Sequence, residues 1–585
     1  MFLDAQWSEE PGAKVAPGSD PLELGLDPYR EIIYTVGPQG IDFVARDAQR
    51  QFASHHVDDL GDVQVTAAGR SPRDGRVVLG LDDGRALTAI VAFSLSYDDT
   101  ERTVSPEVER EELVRLFDDA AVAQIAYRHD GNKRSAVAAL SADGRLVIRV
   151  AERTRSLMGA GRVQEARFDL TNQLQDPVTA LAIDDAVQHL VVGTASGQVQ
   201  AWQIHGSHDR PERLPPFDVT PGAAGGVTAL AFLLGDLSLA VGDENGAISV
   251  WFQTDADGSA RAFRRVHELT SHDRAVTVIV PSERDKQFLS GDAGGTVALH
   301  HATSEQTFFD LQVGAGAIRR LAFAPKGDGF LVSSEGQQGI AAYSLSNPHP
   351  EITIATLFGR VWYEGYEQPE YVWQSTGGTD EFEPKLSMIP LAFGTIKGTV
   401  FAMLFALPMA VLAALYTAEF ASPKVRSVVK PTVELMASLP SVILGFLAGL
   451  WLAPMLEHYI IGTALLLLLT PVVVLLGAFG WRQLPRNVRA HLPANAELVA
   501  LILLTLGSTV VALLCGPSVE TALFGGGLPR WLAEETSLRF DQRNCLVIGF
   551  AMGFAVIPLI FTICEDALSS VPASLRAASL GLGAT

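Results

Sequence analysis

Five long apolar stretches in the last third of the chain limit its possible folds more than any other feature. They cover residues 391–416, 432–454, 459–480, 496–516 and 545–563. Each approaches or exceeds the ~20 residues that a helix needs to cross the hydrocarbon core of a bilayer. The first two stretches have the acidic residues Glu419 and Glu434 at or just past the helix ends, and the third stretch has no acidic residue. We therefore predict an α-helical transmembrane domain of about five helices over 391–585.

Charge divides the chain at the same place. Residues from Leu391 onward hold 11 Lys+Arg and 10 Asp+Glu, whereas the residues before it hold 33 and 56, so the net charges are +1 and −23. This division predicts two domains in different solvents. The acidic part lacks the cationic surplus that binding to nucleic-acid phosphates requires, so we expect no nucleic-acid partner. All three cysteines lie in the apolar part, so we expect no disulfide in the acidic part.

The acidic part repeats one pattern. A strand-like run such as Val-Thr-Ala-Leu-Ala-Ile is followed by a turn, then by a strand-like run ending in Gly, and then by a strand-like run ending on an aromatic residue. Copies start at Val178, Val227, Val276 and Ile318, with weaker copies near Val63 and Val122 and a seventh unit seeded by 35–44. The four strong copies are 49, 49 and 42 residues apart, close to the ~40–50 residues of one propeller blade. Asp-Gly and Asn-Gly pairs supply the positive φ of tight hairpins.

This pattern resembles the WD-repeat propeller family, although the tryptophan-aspartate ending is absent because Gln203 follows Trp202 and Phe252 follows Trp251. We predict an all-β propeller of about seven blades over 30–345, which buries the faces that a single blade leaves exposed. Residues 1–29 are interpreted as an N-terminal tail. Residues 346–390 are interpreted as a linker, either approaching a membrane interface, where Trp and Tyr are favoured, or forming a solvated aromatic loop.

The propeller sequence shows no catalytic or metal-binding constellation. The doublets His55-His56 and His300-His301 are interpreted as strand histidines, because adjacent residues on a strand point to opposite faces. The segment 255–258 has the start of a calcium loop without the later acidic ligands, which favours a hairpin turn. We therefore expect no metal site and interpret the propeller as a docking platform or sensor.

Basic residues between the apolar stretches predict the orientation in the membrane. The connections 423–430 and 481–489 are short and basic, so both are expected on the cytoplasmic side. The propeller then lies outside, which in a Gram-negative cell is the periplasm. The first residues lack the basic start and apolar core of a signal peptide, and Thr585 falls inside an amphipathic helix. We expect the chain to be a fragment with material missing at both ends.

Three blocks in the membrane part resemble the permease subunits of phosphate ABC transporters, in the order found in that family. They are 394–420, 430–446 with its Pro-x-x-Glu and Pro-Ser-Val pattern, and 544–558 followed by 565–572. The resemblance favours the larger of the two permease subunits, in the version with a large periplasmic insert. The hairpin 459–516 looks like an addition between the second and third blocks.

The resemblance implies a transport subunit that is not an enzyme, in a multi-pass protein of the cell inner membrane. The implied partners are a second permease subunit, two ATP-binding subunits and a periplasmic phosphate-binding protein. No cofactor is expected on this chain, because ATP and magnesium would bind the ATP-binding subunits. The alternative function is a membrane-anchored periplasmic propeller that acts as an interaction or sensing scaffold without transport.

The resemblance also implies a coupling helix at 565–585 that contacts the ATP-binding subunits. Its candidate residues are Glu565, Asp566, Arg576, Ala577, Ala578 and Gly583. The family signature begins Glu-Ala-Ala, and this chain keeps its later glycine but lacks its glutamate, so a salt link or cap must come from elsewhere. An ordinary juxtamembrane helix, with the acidic pair as its cap, is the other interpretation.

Candidate residues for a substrate path lie within the first two apolar stretches. They are Thr395, Thr399, Glu434, Pro440 and Ser441. Hydroxyls within a span more often bond to the backbone of their own helix. The proline is expected to bend its helix, which a moving gate would use and a static bundle would tolerate.

Overall fold

The computed structural model describes the chain in two compact units. Its described residues exclude 1–4, 14–19, 47–51, 58–59, 99–100, 132, 154–162, 207–208, 221–224, 255–261, 338, 380, 486–491, 493–495, 526, 537–539, 542–543 and 584–585. The first unit is Met1–Ile389 and the second is Pro390–Thr585. The predicted turn at 255–258 lies outside the described residues.

The first unit is a seven-bladed β-propeller whose blades are antiparallel sheets. The first strand, β1 (Gln6–Ala13), belongs to the last blade. Blade 1 comprises β2 (Glu23–Leu26), β3 (Ile32–Gly37), β4 (Gly40–Ala45) and β5 (His55–His56). Blade 2 comprises β6 (Val65–Ser71), β7 (Arg76–Leu81), β8 (Arg85–Asp98) and β9 (Glu101–Arg115). Blade 3 comprises β10 (Val122–His129), β11 (Arg134–Ser141), β12 (Leu146–Arg153) and β13 (Val163–Asp169).

The remaining blades follow the same order along the chain. Blades 4 and 5 comprise β14 (Val178–Ile183), β15 (His189–Thr194), β16 (Gln198–Gln203), β17 (Glu212–Arg213) and β18 (Phe217–Asp218); and β19 (Val227–Phe232), β20 (Ser238–Asp243), β21 (Ile248–Thr254) and β22 (Ala262–Leu269). Blades 6 and 7 comprise β23 (Val276–Pro281), β24 (Gln287–Asp292), β25 (Thr296–His301) and β26 (Gln306–Gln312); and β27 (Ile318–Phe323), β28 (Gly329–Ser334) and β29 (Ile340–Ser346), with β1 as the outer strand.

The propeller prediction is confirmed. β14, β19, β23 and β27 begin at the four residues where the strong copies start, and β10 begins at Val122. The copy placed near Val63 begins at Val65, and the segment 35–44 falls within β3 and β4 of blade 1. The described residues form seven blades, and β1 supplies the outer strand of the last one.

The ring closes through a segment that the sequence interpretation treats as a tail. β1 pairs antiparallel with β29, so Trp7 lies opposite Leu345. β2, the innermost strand of blade 1, also begins before residue 30. The boundary at residue 30 is therefore too late. β1 has few apolar residues and contains a proline, and only its pairing with an open strand edge makes it a strand.

Neighbouring blades approach closely through a repeated pair of positions. In four blades, the glycine of the second strand faces the first residue of the next blade; the pairs are Gly80 with Val122, Gly193 with Val227, Gly242 with Val276, and Gly291 with Ile318. A Cβ on any of these glycines would lie 2.4–2.6 Å from a methyl carbon of its partner. In these four blades the glycine near the end of the second strand is thus required for packing against the next blade.

We predict that Gly242→Ala destabilises the propeller by about 1–3 kcal/mol, because its methyl group would overlap the buried Val276 side chain. Urea unfolding of the purified chain in detergent, followed by the circular dichroism of the sheets, measures the change. Gly37→Ala is the matched control, since a Cβ at this position meets no heavy atom within 4 Å. Equal stability of the two variants would contradict the packing argument.

The segment interpreted as a linker packs on the propeller and belongs to the same compact unit. We call residues 347–387 the strap; it contains α1 (Ile354–Phe358) and the short strands β30 (Trp373–Gln374) and β31 (Lys385–Leu386), which pair with each other. Val361 and Tyr363 are buried, and Trp362 packs against the apolar core around Phe252. Tyr363 and Trp362 thus hold the strap on the propeller, whereas Tyr371 and Trp373 are exposed.

The second unit is helical. Its elements are α2 (Met388–Leu415), a π-helical segment (Tyr416–Phe420), α3 (Pro423–Ala437), α4 (Ser441–Leu447), a second π-helical segment (Ala448–Leu452), α5 (Ala453–His458), α6 (Ile460–Gln483), α7 (Ala496–Phe524), α8 (Leu528–Glu535), α9 (Cys545–Ser569) and α10 (Ala573–Gly581). Among the described residues, four stretches are long and apolar enough to cross a membrane: Met388–Phe420, Ile460–Gln483, Val499–Glu535 and Val547–Ser569.

The second apolar stretch is not a straight span. Pro423–Ala437 and Val442–His458 meet at 85° and count as one further candidate span only as a bent pair. Pro440 is the residue before α4. A proline disfavours helical backbone in the residue before it, which explains why the helix stops at the Leu439–Pro440 step. The predicted stretch 432–454 therefore belongs to a bent pair of helices, and the expected bend at Pro440 is present.

Candidate functional site

The candidate site is a group of polar side chains where α3, α9, α10 and the π-helical segment at the end of α2 meet. We call these residues the charged cluster: Glu419, Arg426, Lys430, Glu565, Ser569 and Arg576. Two of the six, Glu565 and Arg576, are among the candidate coupling residues. The cluster joins elements that are far apart in the sequence.

Glu565 is buried near the end of α9, where its side chain is 3% exposed. Lys430 of α3 places its Nζ 2.7 Å from Glu565 Oε2. The Ser569 hydroxyl, one turn further along α9, donates to Glu565 Oε1 at 3.0 Å. A buried carboxylate without such partners would be strongly unfavourable. The ion pair therefore fixes α3 against α9.

Arg576 attaches α10 to two other elements. Its Nη2 lies 3.0 Å from Glu419 Oε1 and also donates to the backbone carbonyl of Leu568 in α9. Because one guanidinium has several donors in a rigid plane, it can satisfy both acceptors at once. α10 is thus linked to the end of the first long helix as well as to α9.

The predicted coupling helix is shorter than 565–585. Glu565 and Asp566 belong to α9, which continues to Ser569, and α10 covers only Ala573–Gly581. Pro572 precedes α10 with an extended ψ of 137°, so the helices are separate. Residues 584–585 lie outside the described residues.

Most candidate coupling residues face solvent or lipid. Asp566, Ala577, Ala578 and Gly583 are exposed, whereas Arg576 is only partly so. Leu575 on α10 is 62% exposed, and Leu582, the residue directly after α10 ends, is 91% exposed. The side of α10 that carries Leu575 is therefore apolar and uncovered. Such a short helix, attached through one arginine, has the geometry to dock against another protein.

The structure does not gather the substrate-path residues into one polar site. The Thr395 hydroxyl donates to the Leu391 carbonyl and the Thr399 hydroxyl to the Thr395 carbonyl, each at 2.9 Å within α2. Glu434 is exposed on α3. Ser441 begins α4, but its side chain lies outside the described residues. The two threonines thus follow the bonding to their own helix that is usual for hydroxyls in spans.

An apolar cavity of about 620 Å³ lies between the region 444–453 and α9. Its lining includes Gly445, Gly449, Ala551 and Met552, with no charged side chain among the lining residues. A cavity of this chemistry suits lipid tails or an apolar helix and is unsuited to an anion.

The His300-His301 doublet of the propeller occupies a structural position. His300 lies between the hydroxyls of Ser290, at 2.7 Å, and Thr307, at 2.9 Å, while His301 contacts the Ser304 hydroxyl at 2.8 Å. Burial lowers the pKa of both imidazoles to about 3. Within the described residues, no group of three or more His, Cys, Asp or Glu side chains could hold a metal ion.

The comparison with curated proteins gives one informative relative. The chain is 24% identical over 135 residues to the probable ABC transporter permease protein YqgH of Bacillus subtilis (strain 168), over 21% of this chain and 44% of that protein. The chain thus spans less than half the length of the curated relative it matches. No protein-family model matches the chain.

Solved structures with a similar propeller come from proteins of other kinds. They include the β-propeller domain of Cps50 (Swd1) from Myceliophteria thermophila, at 12% identity and a TM-score of 0.41 over 58% of this chain and 100% of that one. Raptor from Chaetomium thermophilum matches at 18% identity and a TM-score of 0.42, over 59% of this chain and 29% of that one. The propeller assignment rests on the seven sheets of this chain.

The apolar helices and the permease relative together indicate a multi-pass membrane protein similar to ABC transporter permeases. Sequence reasoning missed four members of the charged cluster: Glu419, Arg426, Lys430 and Ser569. A signal for the first three was present, since they lie within or beside the short basic connection 423–430. That connection was interpreted only as an indicator of orientation.

Proposed function

We propose that this chain is a membrane permease subunit of an ATP-driven phosphate importer. The observation that carries the proposal is α10, a short helix with an exposed apolar side that Arg576 ties to Glu419 and to α9. The candidate spans and the similarity to an ABC transporter permease support it. Phosphate as the substrate rests on the three sequence blocks that resemble the phosphate permeases.

In this mechanism α10 is the part of the chain that an ATP-binding subunit moves. Leu575 and its apolar neighbours dock on that subunit, and Asp566 is exposed near the end of α9. Displacement of α10 reaches the first long helix through the Arg576–Glu419 pair, and it reaches α3 through α9 and the Glu565–Lys430 pair. The two ion pairs couple these helices, and separating α3 from α9 would leave the buried Glu565 carboxylate without its cation.

The partners follow from the same proposal. A second permease subunit completes the pore, two ATP-binding subunits lie on the cytoplasmic side, and a soluble phosphate-binding protein delivers the anion to the outer side. The chain lies in the inner membrane with its propeller in the periplasm. The net charge of −23 before Leu391 disfavours the approach of free phosphate, so delivery by a carrier protein is physically reasonable.

We predict that Leu575→Asp lowers phosphate uptake at least tenfold, because it places a charge on the exposed apolar side of α10. Uptake of radioactive phosphate is measured in cells that carry the whole gene, and co-purification of the ATP-binding subunit is measured in the same cells. Ala573→Asp is the matched control, since it adds the same charge on the opposite side of α10. Equal uptake in the two variants, at equal protein levels, would contradict docking through Leu575.

The scaffold interpretation is tested by removing the gene and then the propeller. If loss of the whole gene leaves phosphate uptake unchanged, transport is contradicted and the scaffold function is favoured. A propeller deletion has to include β1 and the strap, because β1 completes the last blade and the strap packs on it. If transport is established, unchanged phosphate uptake after deletion of residues 5–387 would indicate a regulatory role for the propeller.

A further inference from the structure

We propose that Arg426 is a positioning residue: it holds the π-helical segment Tyr416–Phe420 and thereby places Glu419 opposite Arg576. The geometric part of this inference stands on contacts of the helical unit. Its consequence for transport rests on the proposed function. Neither the sequence blocks nor the permease relative assigns a role to this arginine.

The π-helical segment leaves backbone carbonyls that need partners. The Ala421 N–H donates to the Tyr416 carbonyl at 2.8 Å, a spacing of five residues that is wider than the α-helical four. Arg426 Nη2 donates to the Thr417 carbonyl at 2.8 Å and to the Ala418 carbonyl at 2.6 Å, and its Nε reaches the Thr417 carbonyl at 3.1 Å. The guanidinium therefore caps two successive carbonyls at the end of the first long helix.

Arginine is well suited to this contact. Carbonyls at the C-terminal end of a helix carry partial negative charge, so a cation is favoured there. The planar guanidinium presents several donors in a fixed arrangement and stays charged, whereas a lysine ammonium is a point charge on a flexible stem. We therefore expect lysine at position 426 to hold the segment less well, and glutamine not to hold it.

The wider turn decides which way Glu419 points. One extra residue in a helical turn rotates the following side chains by about 100° around the axis, because an α-helix has 3.6 residues per turn. Glu419 lies inside the π-helical segment and reaches Arg576 Nη2 at 3.0 Å. If the segment relaxed to an α-helix, the carboxylate would turn away from α10 and the pair would be lost.

Arg426 also connects the two ion pairs of the charged cluster. It lies four residues before Lys430 on α3, so both side chains are on one side of that helix. Arg426 joins α3 to the end of the first long helix, and Lys430 joins α3 to Glu565 of α9. One turn of α3 therefore holds both of the elements that contact Arg576, namely the segment with Glu419 and the α9 end with the Leu568 carbonyl.

The geometric part is tested by cross-linking, independently of transport. Glu419→Cys and Arg576→Cys are introduced together in the full-length protein after the native cysteines at 515, 545 and 564 are changed to serine. A short bis-maleimide is expected to join the two positions, and Arg426→Gln is expected to reduce the yield at least fivefold. Arg426→Lys should give an intermediate yield. An unchanged yield in Arg426→Gln would overturn the positioning role.

The transport part is tested by charge reversal. Glu419→Arg and Arg576→Glu should each lower phosphate uptake at least tenfold, and the double variant should recover part of it, because the ion pair is restored while the hydrogen bond to the Leu568 carbonyl is not. The same double variant in the Arg426→Gln background is expected not to recover. Recovery there would contradict the proposal. If the wild type imports no phosphate, the proposed function fails, while the cross-linking result still decides the role of Arg426.

Discussion

Replacing Lys286 by methionine is expected to destabilise the propeller by about 3–5 kcal/mol, the usual cost of removing one partner of a buried ion pair. The Lys286 side chain is only 2% exposed, and its Nζ lies 2.5 Å from Glu364 Oε1. The same ammonium donates to the Leu234 carbonyl, and Glu364 also accepts from the Ser238 hydroxyl. Methionine keeps the apolar stem but leaves Glu364 without its cation.

Urea unfolding of the purified chain in detergent measures this loss. The double variant Lys286→Met, Glu364→Gln should be more stable than the single one, because it no longer buries an unpaired carboxylate. Lys133→Met, at an exposed lysine of blade 3, is the matched control and should change stability by less than about 0.5 kcal/mol. An equal loss of stability at both lysines would show that the buried ion pair contributes no more to stability than an exposed lysine does.

The position of the Lys286–Glu364 pair also predicts which part of the propeller unit opens first when the pair is broken. Glu364 belongs to the strap, whereas Lys286 and Ser238 belong to blades 6 and 5. Breaking the pair is therefore expected to release the strap before the sheets unfold. Limited proteolysis should cleave Lys286→Met faster than wild type between residues 347 and 387, with the blades still resistant.

Replacing Glu383 by glutamine is expected to stabilise the propeller by about 2–3 kcal/mol at pH 8 and to change it little at pH 4.5. Burial raises the pKa of the Glu383 carboxyl from 4.5 to about 7, with the nearby Glu364 carboxylate adding to the rise. Its Oε1 has no hydrogen-bond partner among the described residues. Glutamine stays neutral and removes the penalty of ionising this group.

The direction of the pH dependence follows from the raised pKa. Between about pH 4.5 and 7 the folded state keeps a proton that the unfolded state has lost, so stability falls as pH rises and is level above that range. Asp236, whose pKa burial and the carboxylates of Asp185 and Asp184 raise to about 7, contributes in the same direction. Part of the pH dependence should therefore remain in Glu383→Gln.

Urea unfolding at pH 4.5 and at pH 8 measures the free energy of unfolding of wild type, of Glu383→Gln and of a control variant. Glu367→Gln, at an exposed carboxylate of the strap, is the matched control and should give the same small change at both values. A Glu383→Gln variant whose gain in stability is the same at the two pH values would contradict the assignment of a raised pKa.

The blades could be predicted well because each repeat carries its own signals. Val178, Val227, Val276 and Ile318 mark innermost strands by local alternation, and a glycine of the preceding blade faces each of the last three. β1 and the strap carried no such signal. β1 becomes a strand only by pairing with β29, and the strap is ordered by distant partners such as Lys286.

The candidate site shows the same division. Glu565 and Arg576 stand in a recognisable segment, so the sequence pointed to them. Their partners Lys430 and Glu419 lie more than 130 residues earlier, and no periodicity predicts which charge of a basic connection will meet which helix end. The role of Arg426 is even harder to predict from sequence, because it binds backbone carbonyls that become available only in a π-helical turn.

The sequence by itself determined that an acidic repeat of blades precedes a group of apolar helices, since hydrophobic periodicity, turn chemistry and charge are local properties of the chain. Tertiary structure decided how the ring closes, that the aromatic segment lies on the propeller, and which charges meet around Glu565 and Arg576. These are contacts between residues distant in sequence, and their geometry depends on packing that no local pattern contains.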